Sequence, residues 1–150
     1  MSAIVYKLIP QDPFFELPEE LVVPFKQKMK TINDDNRVEI TERVQFIDAG
    51  EEFHGICCPF CDAALDPMWW HQKMAAFYAR TQGFYDLTVT TPCCEQPTSL
   101  NELVYDWPQG FASVLVQTTH EASLPILKEA ALELTGVPWR WVKARYEVFD

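Results

Sequence analysis

All five cysteines of this chain lie between Cys57 and Cys94. That crowding limits the fold more than any other feature, because thiols placed so closely bind a metal, pair, or are buried together. An odd count argues against a disulfide framework. The start, Met1 to Pro10, has one lysine and no long apolar run, so no secretory signal is expected. The expected compartment is the cytoplasm, where thiols stay reduced.

The segment Cys58-Pro59-Phe60-Cys61 is a C-P-x-C turn. Such a turn aims two thiolates at one metal and lets backbone amides hydrogen-bond the sulfurs. A second turn follows at Thr91-Pro92-Cys93-Cys94-Glu95, where a true repeat would place cysteines at 91 and 94. Position 91 is threonine, and Cys93 sits beside Cys94 instead. The expected ligands of one structural zinc are therefore Cys58, Cys61, Cys93 and Cys94, which fill a tetrahedral shell. Cys57 is the spare, and His54 and His71 are possible substitutes. Two other readings compete. The thiols could be unligated core residues. The C-x-x-C turn could also serve redox chemistry, although acidic surroundings without Lys or Arg would raise thiol pKa values.

Charge is uneven. The net charge is −10, and residues 48–127 hold ten acids against Lys73 and Arg80, which gives −8. A surface of that sign repels phosphates, so nucleic acid is not an expected partner. It either keeps the chain soluble or docks a basic protein, with Asp48, Glu51 and Glu52 as candidate contacts in an acidic turn. Trp139 and Trp141 share one strand face with Lys143 and Arg145, opposite the expected core. Left exposed, that face is a second candidate contact patch; otherwise the helices or the cysteine segment fold over it. No run of about 18 apolar residues occurs, so no membrane span is expected.

Periodicity outlines the scaffold. Strands are expected at Ala3–Ile9, Val38–Ile47, Phe111–Thr118 and Trp139–Val148. Val38, Ile40, Val44 and Phe46 share one face of the second strand, which Glu42 interrupts. Glu19–Lys30 has helical period, with Pro24 as a kink or a late start. Ser123 would cap a helix carrying Leu124, Leu127, Ala131 and Leu134, which Gly136 and Pro138 stop. Two βαβ units, 3–47 and 111–148, thus flank the cysteine segment, and right-handed crossovers would put both helices on one sheet face. The expected fold is α+β: one domain, 1–150, of ferredoxin-like βαβ halves with a zinc-ribbon-like insert at about 50–107. Within the insert, Asp66-Pro67 should start a helix running to about Arg80, and Phe84–Thr91 should form a strand.

The cysteine turns, Ser99-Leu100-Asn101-Glu102-Leu103 and Trp107-Pro108-Gln109-Gly110-Phe111 together resemble a group of uncharacterised bacterial proteins. The group's pattern is C-P-x-C-G, P-C-C-G, S-L-N-D-L and W-P-x-G-F, and the likeness runs from about Val44 to the C-terminus. It implies a bacterial source and gives no activity. Here Asp62 and Glu95 replace the two glycines, which would accept positive φ without strain.

No catalytic residue is assigned. There is no G-x-S-x-G, H-E-x-x-H, phosphate loop or deaminase signature. The expected function is a small acidic, zinc-stabilised interaction protein that docks a basic partner, an immunity-type inhibitor being one such form. The alternatives are a small enzyme using His71 with Asp62 or Asp66, and a thiol redox or metal-sensing protein.

Overall fold

A computed structural model describes residues 2–79 and 82–147. The chain is a mixed α+β protein. Its long strands are β1 (Ser2–Pro10), β2 (Arg37–Ile47), β9 (Gly110–Thr118) and β10 (Trp139–Glu147). Two long helices connect them in pairs, α1 (Glu19–Ile32) between β1 and β2, and α3 (Leu124–Thr135) between β9 and β10. The intervening segment carries short elements: β3 (Ile56–Cys57), α2 (Pro67–Phe77), β4 (Tyr78–Ala79), β5 (Gly83–Phe84), β6 (Thr88–Thr90), β7 (Pro97–Ser99) and β8 (Val104–Tyr105).

The main sheet runs β10-β1-β9-β2-β5-β4. β1 is antiparallel to both β10 and β9, β9 is antiparallel to β2, and β5 joins β2 in parallel. Both long helices cover one face. Phe25 and Met29 of α1 meet Leu127, Ala130 and Ala131 of α3 over Leu8, Val114, Val116 and Trp139. Ile9, Ile47, Ala112 and Val142 form a smaller, separate cluster.

Several expectations change. Pro24 does not delay α1; it sits exposed inside a helix that already starts at Glu19, on a face where its missing N–H is tolerated. Ser123 makes no side-chain cap, because a 3-10 turn at Glu121–Ser123 leads into α3. Gly136 closes α3 at φ 75°, as its position implied. β2 is broken by a bulge between Ile40 and Gln45. The bulge absorbs Glu42 and re-aims the strand: Val38 packs under the helices, whereas Val44 and Phe46 pack on the core of the intervening segment. α2 ends at Phe77; the expected end near Arg80, like Val148 in the last strand, lies outside the described residues.

Trp139 is corrected outright. It is 1% exposed, stacks on Phe25 at 5.4 Å and donates its indole N–H to Thr135 Oγ1 at 2.9 Å. It is a core residue, and Trp141 is half-buried edge-on to Tyr6. The helices cover the face that was a candidate contact patch. Among the described residues, no helix is long and apolar enough to cross a membrane.

Candidate metal centre

Two turns with the same hydrogen-bond pattern carry the cysteines. In the first, the Cys58 N–H donates to Ala63 O at 2.8 Å and the Asp62 N–H to Cys58 O at 3.0 Å. In the second, the Thr91 N–H donates to Gln96 O at 3.0 Å and the Glu95 N–H to Thr91 O at 2.9 Å. Thr91 thus holds the place of Cys58, and Glu95 the place of Asp62. Asp62 has φ 63° and Glu95 φ 55°, the only described non-glycine residues with positive φ. Both residues hold the left-handed conformation without being glycine, at a cost of roughly 1–2 kcal/mol per residue. The first turn follows β3, and the second forms the tip of the β6–β7 hairpin.

These turns bring Cys58, Cys61, Cys93 and Cys94 together, with their sulfurs all within 4.8 Å of one another. Cys61 and Cys93 are 3.4 Å apart, Cys58 and Cys94 3.7 Å, and Cys93 and Cys94 3.9 Å. A disulfide needs about 2.05 Å, and all five cysteines are free. A tetrahedral ion with metal–sulfur bonds of about 2.3 Å holds its ligands about 3.8 Å apart. The quartet fits that geometry, so it could hold a metal ion.

The electrostatics agree with the geometry. Burial opposes ionisation of Cys58, but the Cys61 and Phe60 amides and the Cys93 and Cys94 thiols outweigh it and bring its pKa down to about 6. The Phe60 N–H lies 3.4 Å from the sulfur. Cys93 is pushed up to about 12, by burial first and then by the sulfurs of Cys61, Cys58 and Cys94. Acidic surroundings alone therefore do not set these thiols, as the sequence implied; local amides lower one of them. Four clustered sulfurs resist joint ionisation unless a cation compensates them.

Thr91 was missed as part of the centre. It is fully buried, its hydroxyl lies 3.3 Å from Cys94 Sγ, and it accepts from the Gln96 N–H at 3.0 Å. The signal was present: T-P-x-C repeats C-P-x-C with one ligand replaced by a hydroxyl. Cys93, next in line, supplies the missing sulfur.

The other candidates lie elsewhere. Cys57 pairs with Val104 in the β3–β8 ladder and stands outside the quartet. His54 contacts Glu52 at 3.1 Å, and His71 lies edge-on to Trp70 at 5.0 Å. Asp66 is spent capping α2, accepting from the Met68 N–H at 2.9 Å. Among the described residues no hydrogen bond joins His71 to Asp62 or Asp66, so the acid–base pair is not assembled.

Two of the candidate docking acids are engaged within the fold. Asp48 faces Lys7 at 3.3 Å and accepts from the Tyr146 hydroxyl at 3.0 Å and the Gly50 N–H at 2.9 Å. Glu52, its side chain only 14% exposed, is paired with Arg145. Together they tie the exit of β2 to β1 and β10. Glu51 alone of the three is exposed with no side-chain partner among the described residues.

An aromatic core supports the centre from below. Trp70, Phe46, Phe53, Phe84, Tyr105 and Phe111 pack ring on ring. The Trp70 indole donates to Tyr105 Oη at 3.1 Å, and Tyr105 donates to Leu100 O at 2.6 Å. Phe46 and Phe111 belong to the long strands, so this core fuses the intervening segment to the sheet. No family model, curated protein or solved structure matches the chain.

Proposed function

We propose that this chain is a zinc-stabilised interaction protein that acts by docking a basic protein partner in the cytoplasm. The sulfur quartet carries the reading. Four thiolates complete the tetrahedral preference of zinc and leave no position for substrate or activated water, so the metal's work is structural. The scaffold is read as ferredoxin-like, which the order β10-β1-β9-β2 with both helices on one face supports; the insert is read as zinc-ribbon-like, which the paired turns support.

The charge excess supports docking. With Asp48 and Glu52 engaged internally, the acids left for a partner include Glu51, Asp62 and Glu95, all exposed. An inhibitor of a basic toxin, an immunity-type protein, is the form this reading takes. Opposite charge speeds encounter, and salt screens it. Capture from the native host, followed by association kinetics across ionic strength, tests it. A basic partner should associate more slowly at high salt and with Glu51→Lys plus Glu95→Lys. An acidic partner, or an on-rate indifferent to both, would leave the charge as a solubility feature.

A further inference from the structure

Two motifs have no part in the metal centre: Ser99-Leu100-Asn101-Glu102-Leu103 and Trp107-Pro108-Gln109-Gly110-Phe111. They converge on Arg140. Its Nη2 donates to Asn101 Oδ1 at 3.2 Å and to Gln109 O at 2.8 Å. Asn101 is itself fixed, since its Oδ1 accepts from the Phe111 N–H at 3.2 Å and its Nδ2 donates to Gln11 O at 3.4 Å. Gly110 makes the room: a Cβ there would lie 2.2 Å from Arg140 Nη2. The motifs therefore build a cradle for the Nη2 amino group of a guanidinium.

The remaining donors have no protein acceptor. Among the described residues, neither Nε nor Nη1 of Arg140 makes a hydrogen bond, and no carboxylate pairs with it. That is unexpected in a chain with 22 acids and 12 bases. Partial burial pulls its pKa down despite the nearby charge of Glu102. A half-buried arginine anchored at Nη2 keeps its charge and its N–H donors at Nε and Nη1 for a carboxylate oxygen. Arg140 lines a cavity of about 290 Å³ with Gln11, Asn101, Glu102 and Leu103. That volume is at the lower end for ligand sites.

Glu102 decides the kind of ligand. It is exposed and borders the same cavity. Together with a net charge of −10 it disfavours phosphate or a simple anion. A ligand with one carboxylate and one ammonium meets neither objection. We propose that this pocket binds a free α-amino acid as its zwitterion, the carboxylate accepting from a free N–H of Arg140, at Nε or Nη1, and the ammonium at Glu102. This inference is independent of the metal centre and of partner docking.

Calorimetric titration of the full-length protein with each standard amino acid tests the assignment. Metal content is measured on the same sample, so failure of the zinc reading shows separately. The best-binding amino acid should lose about tenfold or more in affinity when its carboxylate is amidated or its amino group removed, the usual scale for one charged hydrogen bond. Arg140→Lys, which keeps the charge but not the anchored guanidinium N–H donors, should weaken it similarly. Glu102→Gln, at an exposed position where folding is not at issue, should abolish the preference for the amino acid over its deaminated acid. Absence of saturable binding to any amino acid would overturn the proposal. So would phosphate or the deaminated acid binding as tightly as the amino acid, or unchanged selectivity in Glu102→Gln.

Discussion

Reversing the charge of Asp48 should destabilise the fold, whereas reversing Glu51, three residues on, should not. Lys7 is nearly buried, with a side chain 10% exposed, and Asp48 Oδ1 stands 3.3 Å from its Nζ. At that distance and an effective dielectric constant near 20, the gross attraction is about 5 kcal/mol. Breaking a fully buried pair costs about 3–5 kcal/mol. The Asp48 side chain is 42% exposed, so water screens part of this. Lys7 also keeps the Asp48 carbonyl and the Tyr146 hydroxyl as acceptors. Asp48→Asn should therefore cost about 1–2 kcal/mol and Asp48→Lys about 2–4 kcal/mol, while Glu51→Lys stays within about 0.5 kcal/mol. Urea unfolding followed by tryptophan fluorescence measures all three. The pH dependence adds a sign. Burial raises the Asp48 pKa, but the charge of Lys7 and the bonds from Tyr146, Gly50 and Lys7 outweigh it and hold it below the ordinary value. A depressed carboxyl stabilises fully above its unfolded pKa of about 3.9, and the benefit fades as pH falls through the lower folded value. The gap between wild type and Asp48→Asn should thus be constant near neutrality and shrink below about pH 4. Equal stability of Asp48→Lys and Glu51→Lys, or a gap that widens in acid, would refute the reasoning.

Other substitutions test other joints. Serine at Cys58 should lower metal content and stability together, because metal binding is folding free energy, whereas Cys57→Ser should change neither; metal analysis and thermal melts decide this. Gly83, at φ 65°, would bring an added Cβ to 2.5 Å from Val44 O, whereas nothing lies within 4 Å of that position at Gly136, φ 75°. Gly83→Ala should therefore cost about 2–4 kcal/mol and Gly136→Ala only about 1 kcal/mol in urea unfolding. Trp139→Ala should cost about 3–5 kcal/mol in the same assay, the loss expected for a buried aromatic and not for a surface patch.

The scaffold was legible because period and stop signals agreed. The four long strands and the two long helices follow from alternation, helical spacing and Gly136. The intervening segment was not, because its strands are two or three residues long and carry no readable period. Their pairing is set by the cysteine turns and by contacts such as Val44 with Gly83, distant in sequence. Trp139 was set on the wrong face because β10 is apolar on both. Trp139 meets the helices, and Val142 meets Ile9, Ile47 and Ala112. Alternation cannot rank two buried faces. Asp48 and Glu52 looked like a solvated acidic turn because their partners, Lys7, Arg145 and Tyr146, lie far along the chain. The clustering of Cys58, Cys61, Cys93 and Cys94 was readable, since cysteine spacing is local within each turn.

X-ray absorption at the zinc edge, on protein purified without added metal, tests the central claim most directly. The account predicts about one zinc per chain, surrounded by four sulfurs at about 2.3 Å with no nitrogen or oxygen in the shell. A folded protein without metal, or a shell containing histidine nitrogen or water, would contradict it.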